Sequence, residues 1–178
     1  MSRISVIQAM VAVLFAVFLA GCGGGETETE APSREEPFVV RHFFPHESGR
    51  WIGNAICYGP HRDGQRPGGA EPTAAELRED LGLMLPHWNL LRIYGASGFA
   101  ETLLEVIRAD KLDMKVLLGV WIAAEDSVAN DREVEAAVRL TAEFPDLVPA
   151  VCVGNETQVS WSPHPCPLDY LIGYVRQV

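Results

Sequence analysis

From Trp51 to the end of the chain, short apolar runs alternate with stretches of helical periodicity. That rhythm restricts the fold more than any other feature. The first run, "WIGNAICYG", reads as a strand ending at Tyr58-Gly59-Pro60, and a loop rich in glycine and proline follows. Thr73-Ala74-Ala75-Glu76 then has the form of a capping box, in which the threonine bonds the third helical amide and the glutamate reaches back. Ala74, Leu77, Leu81 and Met84 or Leu85 recur at helical spacing until Pro86. "NLLRIYG" predicts a second strand, and Leu103, Leu104 and Ile107 the inward face of a second helix that ends at "ADKLD". "MKVLLGVWI" predicts a third strand. Asn130 and Glu133 read as another cap pair, followed by a face of Val134, Ala137, Val138 and Thr141 and a stop at Phe144-Pro145. "LVPAVCVGNE" is the fourth strand, and the loop "TQVSWSPHPCP" leads to a helix from Leu168.

Four strand–helix units in series predict a parallel α/β architecture. The strands are mostly apolar rather than alternating, as expected when both faces of a sheet are covered. Two folds compete, a doubly wound open sheet and a (β/α)8 TIM barrel. No G-x-G-x-x-G follows the first strand, which removes support for a dinucleotide-binding sheet. Polar and aromatic residues collect at strand C-terminal ends: Tyr58, Tyr94, Trp121, Asn155 and Glu156. Both folds bind ligands there, so this favours neither. A barrel takes about 250 residues. The sequence stops at Val178 within an amphipathic pattern, so only the first four units are expected in this chain.

The first residues have the form of an export signal. Arg3 supplies a positive start, Ile4 to Ala20 is almost uninterrupted apolar sequence, and Leu19-Ala20-Gly21-Cys22 resembles a bacterial lipobox. Residues 1–22 are therefore expected to be a lipoprotein signal peptide with Cys22 as the lipidated residue. The competing reading is an uncleaved membrane anchor. Either way the domain is expected to face the periplasm or cell exterior, held to the membrane. Residues 23–45 read as a flexible linker, rich in Gly, Glu, Thr and Pro at the start and without apolar periodicity. Residues 46–178 form the domain. Its cysteines, Cys57, Cys152 and Cys166, are odd in number and lack metal-ligand spacing. Cys57 and Cys152 fall in apolar strand patterns and are expected in the core. With 24 acidic against 14 basic residues, the chain carries a net charge of −10, which argues against nucleic acid as a partner.

"AICYGPHRDGQ", "LLRIYG", "MKVLLGVWI" and "AVCVGNET" occur in this order at four predicted strand ends. Together they resemble glycoside hydrolase family 17, the β-1,3-glucanase family, from about Gly53 onward. The resemblance implies the N-terminal half of a (β/α)8 barrel that cleaves β-1,3-glucan with retention. It implies that Glu156 is the general acid/base, that Asn155 bonds substrate or nucleophile, and that Tyr58 and Tyr94 line the sugar site. The family's nucleophile, a second glutamate followed by Gly-Trp, has no counterpart in this sequence, so the chain by itself is expected to be inactive. Retaining hydrolysis needs two carboxyl groups about 5–5.5 Å apart. It needs no metal or cofactor, and no cofactor motif is visible.

Read without the resemblance, Glu156 is a solvated loop carboxylate and Asn155 a strand-terminating turn residue. Arg92 shares a strand face with Tyr94 by the period of two, either pairing with a site carboxylate or serving structure. Trp121 and Trp161 are candidate glucan contacts, since sugar C–H faces stack on indole; buried packing is the alternative. His164 reads as a structural loop histidine, and Glu125-Asp126 as a solvated helix start. Two other functions compete with hydrolysis: a glucan-remodelling transglycosylase using the same glutamates, and a non-catalytic glucan-binding or decayed lipoprotein fragment.

Overall fold

The computed structural model describes residues 46–178. The expected signal peptide, Cys22 and the linker lie outside the described residues. A small hairpin, β1 (His46–Glu47) and β2 (Arg50–Trp51), comes first. Its two turn residues, Ser48 and Gly49, both have positive φ (49° and 80°), as the favoured hairpin turns require. Then come β3 (Ala55–Cys57), α1 (Ala74–Met84), β4 (Leu90–Arg92), α2 (Ala100–Ala109), β5 (Lys115–Val120), α3 (Ser127–Glu143), β6 (Ala150–Val153) and α4 (Leu168–Val175). Among the described residues, no helix is long and apolar enough to cross a membrane.

The four longer units build one parallel sheet in the order β3-β4-β5-β6. This order bears on both predicted architectures. A doubly wound sheet reverses its strand order at a switch point. Here the order follows the sequence without reversal, and crossovers between parallel strands are right-handed. Every connecting helix therefore falls on the same face. The result is a run of consecutive units of the kind that makes up a (β/α) barrel.

The helix-facing side of the sheet is the core. Leu91, Ile93, Val116, Leu118 and Val120 are fully buried against Leu77 and Leu81 of α1, Leu103, Leu104 and Ile107 of α2, and Ala137 and Leu140 of α3. Each such side chain contributes about 1.5–3 kcal/mol on leaving water. The opposite side carries Ala55, Cys57, Leu90, Arg92, Leu117, Gly119 and Cys152 in register. This corrects the expectation for two cysteines. Cys57 is exposed and Cys152 half-buried, because strand alternation turns both away from the helices; Cys166, from the proline-rich loop, is the buried one. All three thiols are free.

The α1 capping box is present: Thr73 Oγ1 accepts from Glu76 N–H at 3.3 Å, and Glu76 Oε2 accepts from Thr73 N–H at 2.8 Å. These bonds, the backbone amide of Thr73 foremost, hold the Glu76 carboxyl below its usual range. The second predicted cap pair is not a cap. Asp126 starts α3, accepting from Ala129 N–H at 3.0 Å, and Asn130 and Glu133 lie inside the helix, buried. Val138, predicted to face inward, is 45% exposed, and Leu140 is the buried residue instead. The run "WIGNAICYG" is likewise split, with Trp51 closing the hairpin and only Ala55–Cys57 in the sheet.

Gly119 has no room for a side chain. A Cβ there would lie 2.4 Å from Ile93 O and 2.6 Å from Tyr94 Cα, both backbone atoms that cannot swing aside. Gly119→Ala is expected to cost about 1–3 kcal/mol or more by overpacking. A urea unfolding midpoint equal to that of the wild type would contradict this close approach of β4 and β5.

Candidate active site

At the C-terminal ends of the strands, one cation gathers three of them. The Arg92 guanidinium on β4 donates to Asn155 Oδ1 at 2.9 Å, just past β6. It lies over the Tyr94 ring, 4.5 Å from the centroid, and 4.0 Å from Cys57 Sγ on β3. Its side-chain oxygen partner is thus the amide of Asn155 rather than a carboxylate. The hydrogen bond with Tyr94 and then the one with Arg92 hold the Cys57 thiol below its ordinary pKa, and the Tyr94 phenol is pushed up in turn.

Past β6 the backbone turns sharply. Gly154 has φ 79°, and Glu156, a residue with a side chain, has φ 54°. Gly154 N–H bonds Val120 O at 2.8 Å, so the turn is anchored to β5. The following loop folds back on itself: Cys166 N–H donates to Thr157 O at 3.0 Å, and Gln158 Nε2 to Cys166 O at 2.8 Å. That return places His164 Nε2 2.9 Å from the carbonyl of Asn155, to which it donates. The His164 ring also rests against Trp121, centroids 4.6 Å apart. Glu156 is exposed.

A cleft of about 670 Å³ opens beside this turn, over the loops that follow β3, β4 and β5. Its aromatic lining is Tyr58, Tyr94, Phe99 and Trp121, and His61 and Glu71 form a polar edge, paired at 3.1 Å. The predicted site residues therefore separate. Tyr58, Tyr94 and Trp121 line the cleft; Asn155 and Glu156 stand outside its lining, joined to it through Arg92 and His164; Trp161 is 68% exposed on the loop. Tyr58 is only 8% exposed, and its hydroxyl already donates to Asp80 Oδ2 at 2.7 Å. Burial, then Asp80, raises that phenol above its usual pKa, so Tyr58 forms wall rather than a free hydroxyl. Among the described residues no three metal-ligating side chains converge.

Two residues of α3, Asn130 and Glu133, line the cleft and hold its loops rather than capping the helix. Glu133 accepts from the N–H groups of Ala96 (2.7 Å), Ser97 (3.0 Å) and Trp121 (3.1 Å) and from the Ser97 hydroxyl. Asn130 grips Ala123 at both ends, accepting from its N–H at 2.9 Å and donating to its carbonyl at 2.7 Å. Their signal lay in their phase. Both sit on the inward stripe of α3 with Val134 and Ala137, where a polar side chain needs a partner.

No protein-family profile matches the chain. Over 93 residues it is 30% identical to a glucan 1,3-beta-glucosidase of Arthroderma benhamiae, covering 52% of this chain and 30% of that protein. Over 89 residues it is 32% identical to a probable glucan endo-1,3-beta-glucosidase of Aspergillus flavus, covering 48% of this chain and 13% of that one. An endo-laminarinase from Formosa superposes with a TM-score of 0.61 at 28% identity, over 68% of this chain and 35% of that structure. A Rhizomucor miehei beta-1,3-glucanosyltransferase in complex with laminaritriose superposes at 0.52 and 24% identity, over 70% and 44%, a likeness of fold alone. The class is thus a parallel α/β chain similar to β-1,3-glucan glycosidases, the resemblance its four strand-end motifs carried. The chain spans less than a third of the length of these two curated relatives.

The arrangement makes Cys57 a reporter of the site. Its alkylation by iodoacetamide, followed by mass spectrometry, is expected to rise at a pH below the ordinary thiol value of about 8.5. Removing the largest cause, in Tyr94→Phe, lets the thiol keep its proton to higher pH and moves that inflection upward. An inflection unmoved by the substitution would contradict the contact.

Proposed function

We propose that this chain forms part of a retaining β-1,3-glucan-active site, with Glu156 as general acid/base. One observation carries the reading: Glu156 holds a left-handed backbone at the mouth of the sheet. For a residue with a Cβ that conformation costs about 1–2 kcal/mol. Such strain collects where function fixes a side chain's direction. In the proposed reaction the Glu156 carboxyl protonates the departing glycosidic oxygen and then, as a carboxylate, takes a proton from the incoming water. Arg92 fixes the Asn155 amide beside it, and Tyr94 and Trp121 offer ring faces to sugars in the cleft. The second carboxyl belongs to a motif with no counterpart in this sequence. Laminarin is therefore expected to be bound by this chain but not shortened.

Trp161 favours a second reading. Its exposed indole stands on the loop leaving Glu156, and an aromatic platform there would seat an acceptor sugar in place of water. Transfer yields longer or branched glucans, hydrolysis only shorter ones.

In a form of the protein that turns over laminarin, Glu156→Gln is expected to lower kcat by about 10²–10⁴-fold, the usual worth of a positioned acid, with binding retained. Near-normal turnover would remove Glu156 from the mechanism. Export and lipid anchoring rest on Leu19-Ala20-Gly21-Cys22. Cys22→Ala is expected to move the protein out of the detergent-phase lipoprotein fraction; an unchanged partition would contradict lipidation.

A further inference from the structure

Glu133 is 7% exposed in the body of α3. A buried carboxylate is costly unless its oxygens are filled by donors. The donors here come from two separate segments. Ala96 and Ser97 belong to the loop that carries Tyr94, and Trp121 is the first residue after β5. Tyr94 and Trp121 line the cleft together with Ser97 and Glu133 itself, so one carboxylate at the cleft wall also fixes the backbone of two aromatic residues facing it. The loop backbone passes close by: a Cβ on Gly95 would lie 3.2 Å from Glu133 Oε2.

The contacts continue outward from Trp121. Its ring rests on His164, and His164 donates to the carbonyl of Asn155, the residue before Glu156. Arg92 completes the circuit by bonding the Asn155 side chain while covering the Tyr94 ring. The cleft and the Glu156 turn thus share a frame, and Glu133 stands at its inner end.

We propose that Glu133 is a positioning residue for glucan binding. It sets the spacing of the Tyr94 loop and Trp121 and, through Trp121 and His164, the orientation of the Asn155-Glu156 turn. The proposal rests on the β-1,3-glucan reading for its ligand but not for its geometry. Gln at this position keeps the size but replaces one acceptor oxygen with an NH₂ donor. That group faces N–H donors and repels at least one of them.

The test uses the full 178-residue chain and four forms: wild type, Glu133→Gln, Ser97→Ala and Leu140→Ala. Laminaritriose binding is measured by calorimetry, and the His164 imidazole is followed by NMR without ligand. Glu133→Gln is expected to weaken binding at least tenfold and to shift the His164 ring resonances. Ser97→Ala removes one donor and moves both readings the same way by less. Leu140→Ala takes a fully buried leucine from the other end of α3 and lowers the melting temperature, yet is expected to leave both readings at wild-type values. Unchanged affinity or an unmoved His164 in Glu133→Gln would overturn the proposal, since lost binding with His164 in place means that Glu133, which lines the cleft, touches the ligand directly; an equal loss in Leu140→Ala would overturn it too. If Glu133→Gln does not fold, Ser97→Ala decides by the same two readings. If the wild type binds no laminaritriose, the glucan reading fails, and the His164 shift alone still decides whether Glu133 orients the turn.

Discussion

The handedness of the parallel crossover governs this structure. Four strands laid down in sequence order, each joined to the next by a right-handed connection, send every helix to one face. Leucine, isoleucine and valine from that face and from the helices make a single core. The other face carries Arg92 among small residues and two leucines, Leu90 and Leu117, and all the strand C-terminal ends open on the same side. The site follows from that arrangement before any particular chemistry is considered. Tyr58, Tyr94 and Trp121 come from three strand ends and line one cleft there, and Asn155, from the fourth, is tied to them through Arg92 and His164.

What turns neighbouring loops into a defined site is a set of polar groups that reach across elements. Glu133 and Asn130 use the rigidity of α3 to hold loops that belong to β4 and β5. Arg92 does the same from within the sheet, linking β3, β4 and the turn after β6. The buried bonds of Glu133 and Asn130 specify one arrangement because each unmade bond there leaves a desolvated group. The aromatic lining contributes surface, and the polar ties determine where that surface stands.

The pattern of elements was legible in the sequence because it depends on local chemistry. Thr73 and Glu76 form the predicted box, and Leu77, Leu81, Leu103, Leu104 and Ile107 are buried as their spacing required. Misreadings arose where a local pattern served a distant partner. Asn130-x-x-Glu133 has the spacing of a cap, but Asp126 had already started the helix, and both side chains reach into loops instead. Cys57 and Cys152 lie in apolar runs, and apolarity alone did not tell which face of the sheet each would take. The side-chain partner of Arg92 was similarly out of reach, since Asn155 lies 63 residues away.

The turn after β6 has an evolutionary consequence. Glycine or asparagine at position 156 would sit in that left-handed conformation with less strain than glutamate. Mutation and selection for stability alone would therefore drift the position away from a carboxylate. Variants improved for heat resistance without a screen for glucan binding or turnover would be the first place to look for its loss. A glutamate there persists only while something other than folding selects for it.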